Sequence, residues 1–352
     1  METLTAAACA YIDSEAEALY KLSQEIWKNP ELNYEEFYAH DILCSFLEKR
    51  GFNVERKYLL NTAFRAKYGE PGTGPNICVI CEYDALPEIG HGCGHNLIAE
   101  VGVAAGIGVK AALEKADQPI GQVTVLGCPA EEGGGGKVRL IDNGAFHDID
   151  VAMMAHPAPT DGVFPTLAAD TVTVTFHGHA VHAAAFPWQG VNALDAAVLC
   201  YQNVSCMRQQ MKPTWRISGI ISNGGAKPNI IPETAECEYI IRTQSKTDLD
   251  ILRSRTIDCF ESAAKATGCT VEYKFWEKPY LNVIQNKELS DLYTNNLRKL
   301  GKDLNSSTAP VSEVPLGSTD MGNVSYIVPS IHPFFNIGTN ALNHTHDFTT
   351  AA

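Results

Sequence analysis

Three short apolar runs do most to limit what this chain can fold into. Asn76-Ile-Cys-Val-Ile, Gln122-Val-Thr-Val-Leu and Asp150-Val-Ala-Met-Met are too short for stable helices and apolar enough for buried strands. A helical pattern separates the first two. Residues ~96–115 form a stretch whose many Gly and Ala residues suit close packing on a sheet. Upstream, an amphipathic helix is expected over ~12–28, with Asp13 or Ser14 as its N-cap and Asn29-Pro30 as its stop. A second is expected over ~35–50, with Gly51 where a C-terminal cap belongs. This alternation predicts an α/β fold with a mostly parallel, helix-covered sheet.

The rhythm changes near residue 168. Thr171-Val-Thr-Val-Thr-Phe alternates with period two, the sign of a half-exposed strand. A helix (~192–211), two strands (215–221 and 235–242), a helix (~248–267) and a last strand (270–275) follow. That β-α-β-β-α-β order is the ferredoxin-like arrangement of an α+β domain. The expected organisation is therefore a first domain of 1–168 and 280–352, interrupted by a second of 169–279. A helix at ~286–300 and short strands near Tyr326 and Phe335 would complete the first domain.

Each of the three strands runs into chemistry. The first ends in Cys81-Glu-Tyr-Asp84, the second in Cys128-Pro-Ala-Glu131-Glu132 and the third in Ala155-His156-Pro157. Open α/β sheets bind ligands beyond the carboxyl ends of their strands, so the three ends predict one site. Gly90-His91-Gly92-Cys93-Gly94-His95-Asn96 adds a thiol and an imidazole two residues apart, in a loop whose glycines allow a tight turn. Thiolate, imidazole and carboxylate together suit zinc. His91 reads as a loop or core histidine. Adjacent Glu131 and Glu132 point different ways, so one can bind metal while the other faces a water. The run Gly133 to Gly136 is followed by Lys137 without a Ser or Thr, which excludes a phosphate-binding loop.

The formal net charge is −14, which argues against nucleic-acid binding. The apolar run 101–113 is broken by Lys110 and is too short to span a membrane. Eleven cysteines without framework spacing, behind an N-terminus unlike a secretory signal, read as reduced thiols in a cytoplasmic protein.

The strings CEYDALP, GHGCGHNLIAE, PAEEGGGGK, MMAHP and NHTHDF resemble the metallopeptidase family M20, in its branch with a cysteine ligand. RQQMKPTWR, GGAKPNIIP, GSTDMGNVS and NALNHT further resemble the animal members that cleave β-alanyl-lysine-type dipeptides. The resemblance covers nearly the whole chain. It implies two divalent metal ions, zinc or alternatively manganese, with Cys93 bridging them and His95, Glu132, His156 and His344 as terminal ligands. It implies Glu131 as the general base and Asp84 as a carboxylate orienting a ligand. The spacing His-Thr-x-x-Phe favours His344 over His346. The second domain would be the family's lid and dimerisation domain, making a homodimer in which His182 reaches the partner's active site and stabilises the oxyanion. Asn229 would contact the substrate and Arg242 would grip its carboxylate.

The implied reaction is hydrolysis of β-alanyl or γ-aminobutyryl dipeptides of basic amino acids, a metabolite repair around carnosine synthesis. An aminoacylase or aminobenzoyl-glutamate hydrolase is the rival within the class. An inactive metal-binding scaffold or dimerising interaction protein is the rival outside it, and the intact Glu131 and ligand set argue against that. The family's further C-terminal helix is expected to be missing, because the chain stops at Ala352.

Overall fold

The three apolar runs form neighbouring parallel strands. In the computed structural model, which describes residues 2–302 and 317–352, they are β3 (Asn76–Glu82), β4 (Gln122–Cys128) and β5 (Val151–Met153). Asn76 to Glu82 pair in step with Gln122 to Cys128, and Ile77 to Val79 with Val151 to Met153. This register brings the ends of β3 and β4 level, so their polar continuations emerge side by side. The sheet continues past β5 to β11 (Ser330–Ile331), also parallel. On its other side lie β2 (Phe64–Gly69) and β1 (Asn53–Arg56), both antiparallel. Neither β1 nor β2 was expected from sequence, so the sheet is mixed, with a parallel core and an antiparallel edge. A separate parallel pair joins β6 (His156–Ala158) to β12 (Phe334–Asn336).

Helix α4 (His95–Lys115) packs through its glycines. A Cβ on Gly106 would lie 2.3 Å from Val125 of β4, and one on Gly102 2.5 Å from the Cys81 sulfur of β3. At 21 residues α4 is longer than the apolar run read from sequence, and among the described residues it is the one helix long and apolar enough to cross a membrane. Its close contacts with β3 and β4 make it a core helix of this unit.

The expected first helix is instead two helices, α1 (Glu2–Ser14) and α2 (Ala16–Lys28). The proposed cap is the break. Ser14 turns its hydroxyl back to the Tyr11 carbonyl, and Glu15 pairs with Arg50 at the end of α3 (Phe37–Lys49). Helix α1 escaped notice because its Ala-rich sequence has little amphipathic contrast. It packs by small residues, with Ile12 lying against Gly108 of α4. The run before Tyr326 is also helical, as α9 (Met321–Ser325), and the strand comes after it, as β11. Among the described residues, the remaining helices of this unit are α5 (Gly136–Asp142), α8 (Lys287–Lys299) and α10 (His346–Ala351).

The chain divides into two compact units. The elements above form one. The other is Thr166–Asn282 with Gly317–Thr319. It contains β7 (Ala168–His177), α6 (Ala193–Met207), β8 (Arg216–Asn223), β9 (Thr234–Thr243), α7 (Lys246–Thr267) and β10 (Thr270–Phe275). Its sheet is antiparallel in the order β10-β7-β9-β8, the ferredoxin-like order. Val172, Val174 and Phe176 alternate inward and are fully buried, as the period of two requires. Asn192 caps α6 by accepting from the Leu194 and Asp195 N–H groups, and Ser245 caps α7 by accepting from Asp248.

Candidate active site

The ends of β3 and β4, the start of α4, β6 and the loop before α10 bring seven predicted site residues together. Gly94 in a left-handed conformation (φ 74°) caps α4 and sets His95 as its first residue. A Cβ on Gly94 would meet the Pro157 ring at 2.6 Å, so glycine lets the Cys93 loop approach β6. The Cys93 sulfur lies 3.4 Å from His156 Nε2. His344 Nε2 lies 3.3 Å from Glu132 Oε1, and His95 Nε2 lies 3.8 Å from the same oxygen.

These atoms form two triads, Cys93–His95–His156 and Cys93–Glu132–His344, each with its ligand atoms within 4.8 Å of one another. Cys93 belongs to both. Tetrahedral ligands at about 2.0–2.3 Å from a cation stand roughly 3.3–3.8 Å apart, and the Cys93–His156 pair of one triad (3.4 Å) and the Glu132–His344 pair of the other (3.3 Å) match that spacing. His95 Nε2 and Glu132 Oε1 are buried without any hydrogen-bond partner, as atoms that face a cation would be. The residues present therefore fit a pair of divalent ions sharing the thiolate.

Surrounding contacts aim these side chains. Asp84, fully buried at the end of β3, accepts from His95 Nδ1 at 3.1 Å and from the Glu132 N–H at 2.9 Å. One carboxylate thus leaves His95 Nε2 pointing at the site and fixes the backbone that presents Glu132. His156 Nδ1 donates to the Pro157 carbonyl at 2.8 Å, which likewise leaves Nε2 for the site. His344 adopts φ 65°, unusual for a residue with a Cβ, and its N–H donates to Gly92 at 2.7 Å. His346 begins α10 and lies in neither triad. His91 is buried and bonds through Nε2 to the Ile26 carbonyl, a core histidine as read.

The turn carrying Glu131 and Glu132 is braced from a segment that carries no signal in the sequence. Ala130 stands at φ 56°, and its N–H donates to Glu36 at 2.9 Å. Glu36 is fully buried and also accepts from the Tyr34 N–H and the Thr62 hydroxyl. Asn33 donates to the Glu132 carbonyl at 2.7 Å and the Tyr34 hydroxyl to the Gly134 carbonyl. Asn33 to Glu36 follow α2 with no motif of their own, so only the packing reveals them. The glycines serve the same turn. A Cβ on Gly136 would sit 1.7 Å from the Pro129 carbonyl oxygen.

The adjacent glutamates are driven apart electrostatically. Burial, then the charges of Glu82, Glu132 and Asp320, push the Glu131 carboxyl well above its usual range. Burial opposes ionisation of Glu132 too, but His344 and His95 outweigh it and hold that carboxyl low. The two neighbouring carboxyls thus sit in opposed electrostatic environments. Burial and the neighbouring His95 lower His156 to about 4, so it stays neutral and able to bind a cation.

Behind Glu131 lies a group whose importance the sequence did not disclose. Lys137 on α5 is fully buried and ion-pairs with Glu82 and with Asp320, the latter at 2.5 Å. Its backbone N–H also donates to Asp320 at 2.8 Å. Glu82, Glu131 and Asp320 bring one carboxylate oxygen each within 4.8 Å of one another. In sequence, Glu82 is one residue of the polar strand end Cys81-Glu-Tyr-Asp84 with no role of its own, and Lys137 and Asp320 carry no reading as a buried ion pair.

In the other unit, the His182 and Asn229 loops touch. Ala183 N–H donates to the Asn229 carbonyl at 3.1 Å, and Ile230 bridges His182. His182 is exposed, and its Nδ1 accepts from the Ala184 N–H at 3.2 Å. Arg242, near the end of β9, is half-buried and donates to the Ser318 hydroxyl at 2.9 Å.

Residues 168–268 match the family model of the peptidase dimerisation domain. Over its whole length the chain is 53% identical to the Xaa-Arg dipeptidase of Mus musculus, of which it spans 84%. It is 35% identical to one of the subunits of p-aminobenzoyl-glutamate hydrolase from Escherichia coli, over 82% of this chain and 64% of that one. Among solved structures, a dinuclear metal binding peptidase of the M20 family from Bacillus subtilis superposes with a TM-score of 0.72 at 20% identity, covering 96% of this chain and 95% of the other.

Proposed function

We propose, from the premise that this chain belongs to the M20 metallopeptidases and is a metal-dependent amide hydrolase of the dipeptidase kind, that it cleaves dipeptides ending in a basic amino acid. The preferred substrates carry an N-terminal β-alanyl or γ-aminobutyryl group joined to lysine, ornithine or arginine. The observation that carries the catalytic reading is the pair of ligand triads sharing Cys93, with Glu131 within ligand distance of His95 and Glu132. The substrate reading is supported by the likeness to a relative named for dipeptides ending in arginine.

Cys93, His95 and His156 would hold one ion, and Cys93, Glu132 and His344 the other. The thiolate, imidazole and carboxylate donors favour zinc, with manganese as the alternative. Bound there, the ions supply Lewis-acid polarisation of the scissile carbonyl and make water acidic. Glu131, whose surroundings favour holding a proton, takes one from the attacking water and delivers it to the leaving amine. His182 accepts a backbone N–H at Nδ1, so in its neutral form the proton sits on Nε2, a donor for the oxyanion. Asn229 contacts the substrate. Arg242, whose guanidinium has only the neutral Ser318 hydroxyl as hydrogen-bond partner among the described residues, takes the substrate carboxylate.

The 35% identity to a p-aminobenzoyl-glutamate hydrolase chain favours a second reading, an acidic rather than basic terminal residue. Kinetics on β-alanyl-lysine, an Xaa-Arg dipeptide, p-aminobenzoyl-glutamate and an N-acyl amino acid separate the two. The basic dipeptides should show the highest kcat/KM, and a preference for the glutamate conjugate overturns the substrate reading. Glu131→Gln should abolish turnover of every substrate while two ions per chain remain by elemental analysis. Undiminished turnover in that variant removes Glu131 from the chemistry.

A further inference from the structure

We infer that Lys137 is a positioning residue for Glu131, its ammonium gathering Glu82 and Asp320 so that the third carboxylate of the cluster is held facing the metal ligands. The inference rests on the proton-carrying role proposed for Glu131.

Four elements contribute to the cluster: Glu82 from β3, Lys137 from α5, Asp320 from the N-terminal edge of α9, and Glu131 from the turn after β4. Glu82, Lys137 and Asp320 are fully buried, and Glu131 is 7% exposed. Asp320 directs both oxygens at Lys137, one to the ammonium and one to the backbone N–H. Glu82 gives one oxygen to the ammonium and places the other 3.6 Å from His95 Nε2. Lys137 is thereby connected through Glu82 to a proposed metal ligand and lies in the same charge cluster as the proposed proton carrier.

A tie between α5 and α9 needs one acid and one base. Here three buried acids accompany one lysine, and burying a carboxylate without compensation is costly. Glu82 and Asp320 share the ammonium, so their charges no longer act on Glu131 at full strength. Without Lys137, like charges within 4.8 Å of one another would push Glu131 off its line to the water. Misplacement of a reacting group by about 1 Å can cost about a hundredfold in rate.

The experiment compares Lys137→Met, Lys137→Arg, the double variant Lys137→Met/Asp320→Asn, and Glu131→Gln. Each is measured for bound metal by elemental analysis, thermal midpoint, kcat and KM on β-alanyl-lysine. Lys137→Met should keep its metal and a KM within about threefold, while kcat falls by about a hundredfold or more. Lys137→Arg should recover much of that loss, since it restores the cation. Wild-type kcat in a folded Lys137→Met protein, or equal losses in the Met and Arg variants, overturns the inference. If Lys137→Met does not fold, the double variant, which leaves the Glu82 charge uncompensated beside Glu131, decides: low kcat with metal and KM retained supports positioning, and wild-type kcat refutes it. Failure of both variants to fold assigns the cluster to stability alone and also refutes it. An active Glu131→Gln protein defeats the prior reading of Glu131. An inactive one beside a fully active Lys137→Met protein defeats only this inference.

Discussion

At the scale of single residues, the atoms that would meet the ions were legible and those that hold them in place were not. Cys93, His95, Glu132, His156 and His344 stand in strings of unusual composition, and a thiol and imidazoles at strand ends have few structural uses. Glu36, Glu82, Lys137 and Asp320 are ordinary residue types whose burial alone makes them exceptional, and burial depends on the tertiary fold. Glu36 supports a prediction. Burial raises its carboxyl to about 7, against the lowering effect of its hydrogen bond from Thr62. The folded state therefore holds that proton more tightly than the unfolded chain, and stability falls as pH rises from about 4.5 to 7. Gln at this position resembles the protonated acid: it keeps an acceptor for the Tyr34 and Ala130 N–H groups and can donate to Thr62. At about 1.4 kcal/mol per pKa unit, Glu36→Gln should gain about 3 kcal/mol on the wild type between pH 4.5 and 8. Urea unfolding at both pH values measures the gap, and parallel profiles for the two proteins would contradict the assignment.

At the scale of elements, the strong periodicities came through. The parallel strands, the glycine-rich α4 and the β-α-β-β-α-β order all follow from patterns of two or of three to four residues. What escaped was short or low in contrast: the Ala-rich α1, the edge strands β1 and β2, and α5 behind its glycines. That glycine run, excluded as a phosphate loop by its sequence, shapes the Glu131 turn through the close approach of Gly136 to the Pro129 carbonyl, a distance invisible in sequence. Two of its members separate conformation from space. Gly133 has φ 92° and open space within 4 Å of where a Cβ would stand, whereas a Cβ on Gly136 would collide with the Pro129 carbonyl. Gly133→Ala should therefore cost about 1 kcal/mol in thermal stability, the strain of a left-handed residue, and leave turnover largely intact. Gly136→Ala must move the backbone that carries Glu131, and should cost about 3 kcal/mol or more together with most of the activity. Equal effects of the two substitutions would show that the close approach at Gly136 does not fix the turn.

At the scale of the whole molecule, the question is whether one chain suffices. The proposed catalytic groups come from both units: Glu131 from the first, His182 from the second. The second unit matches a dimerisation domain and ends its sheet in β8, an edge strand exposing Ile220 and Ile221. Exposed apolar residues on an unpaired edge suit pairing with another chain. In the proposed homodimer, His182 of one protomer serves the site of the other, and complementation tests this directly. Glu131→Gln and His182→Ala proteins are each expected to be inactive as homodimers. In a mixed dimer, if His182 acts across the interface, one site lacks both groups and the other keeps both. Random exchange makes half of the dimers mixed, with one of two sites intact, so activity should return to about a quarter of wild type. If His182 acts within its own chain, every site in every dimer lacks one group and mixing restores nothing. Light scattering on the same samples establishes the dimer, and Ile220→Asp, which puts a charge on the edge of β8, should abolish both the dimer and the complementation. Complementation that persists in Ile220→Asp proteins that still dimerise by light scattering would separate trans action from this edge and point to another contact surface on the second unit.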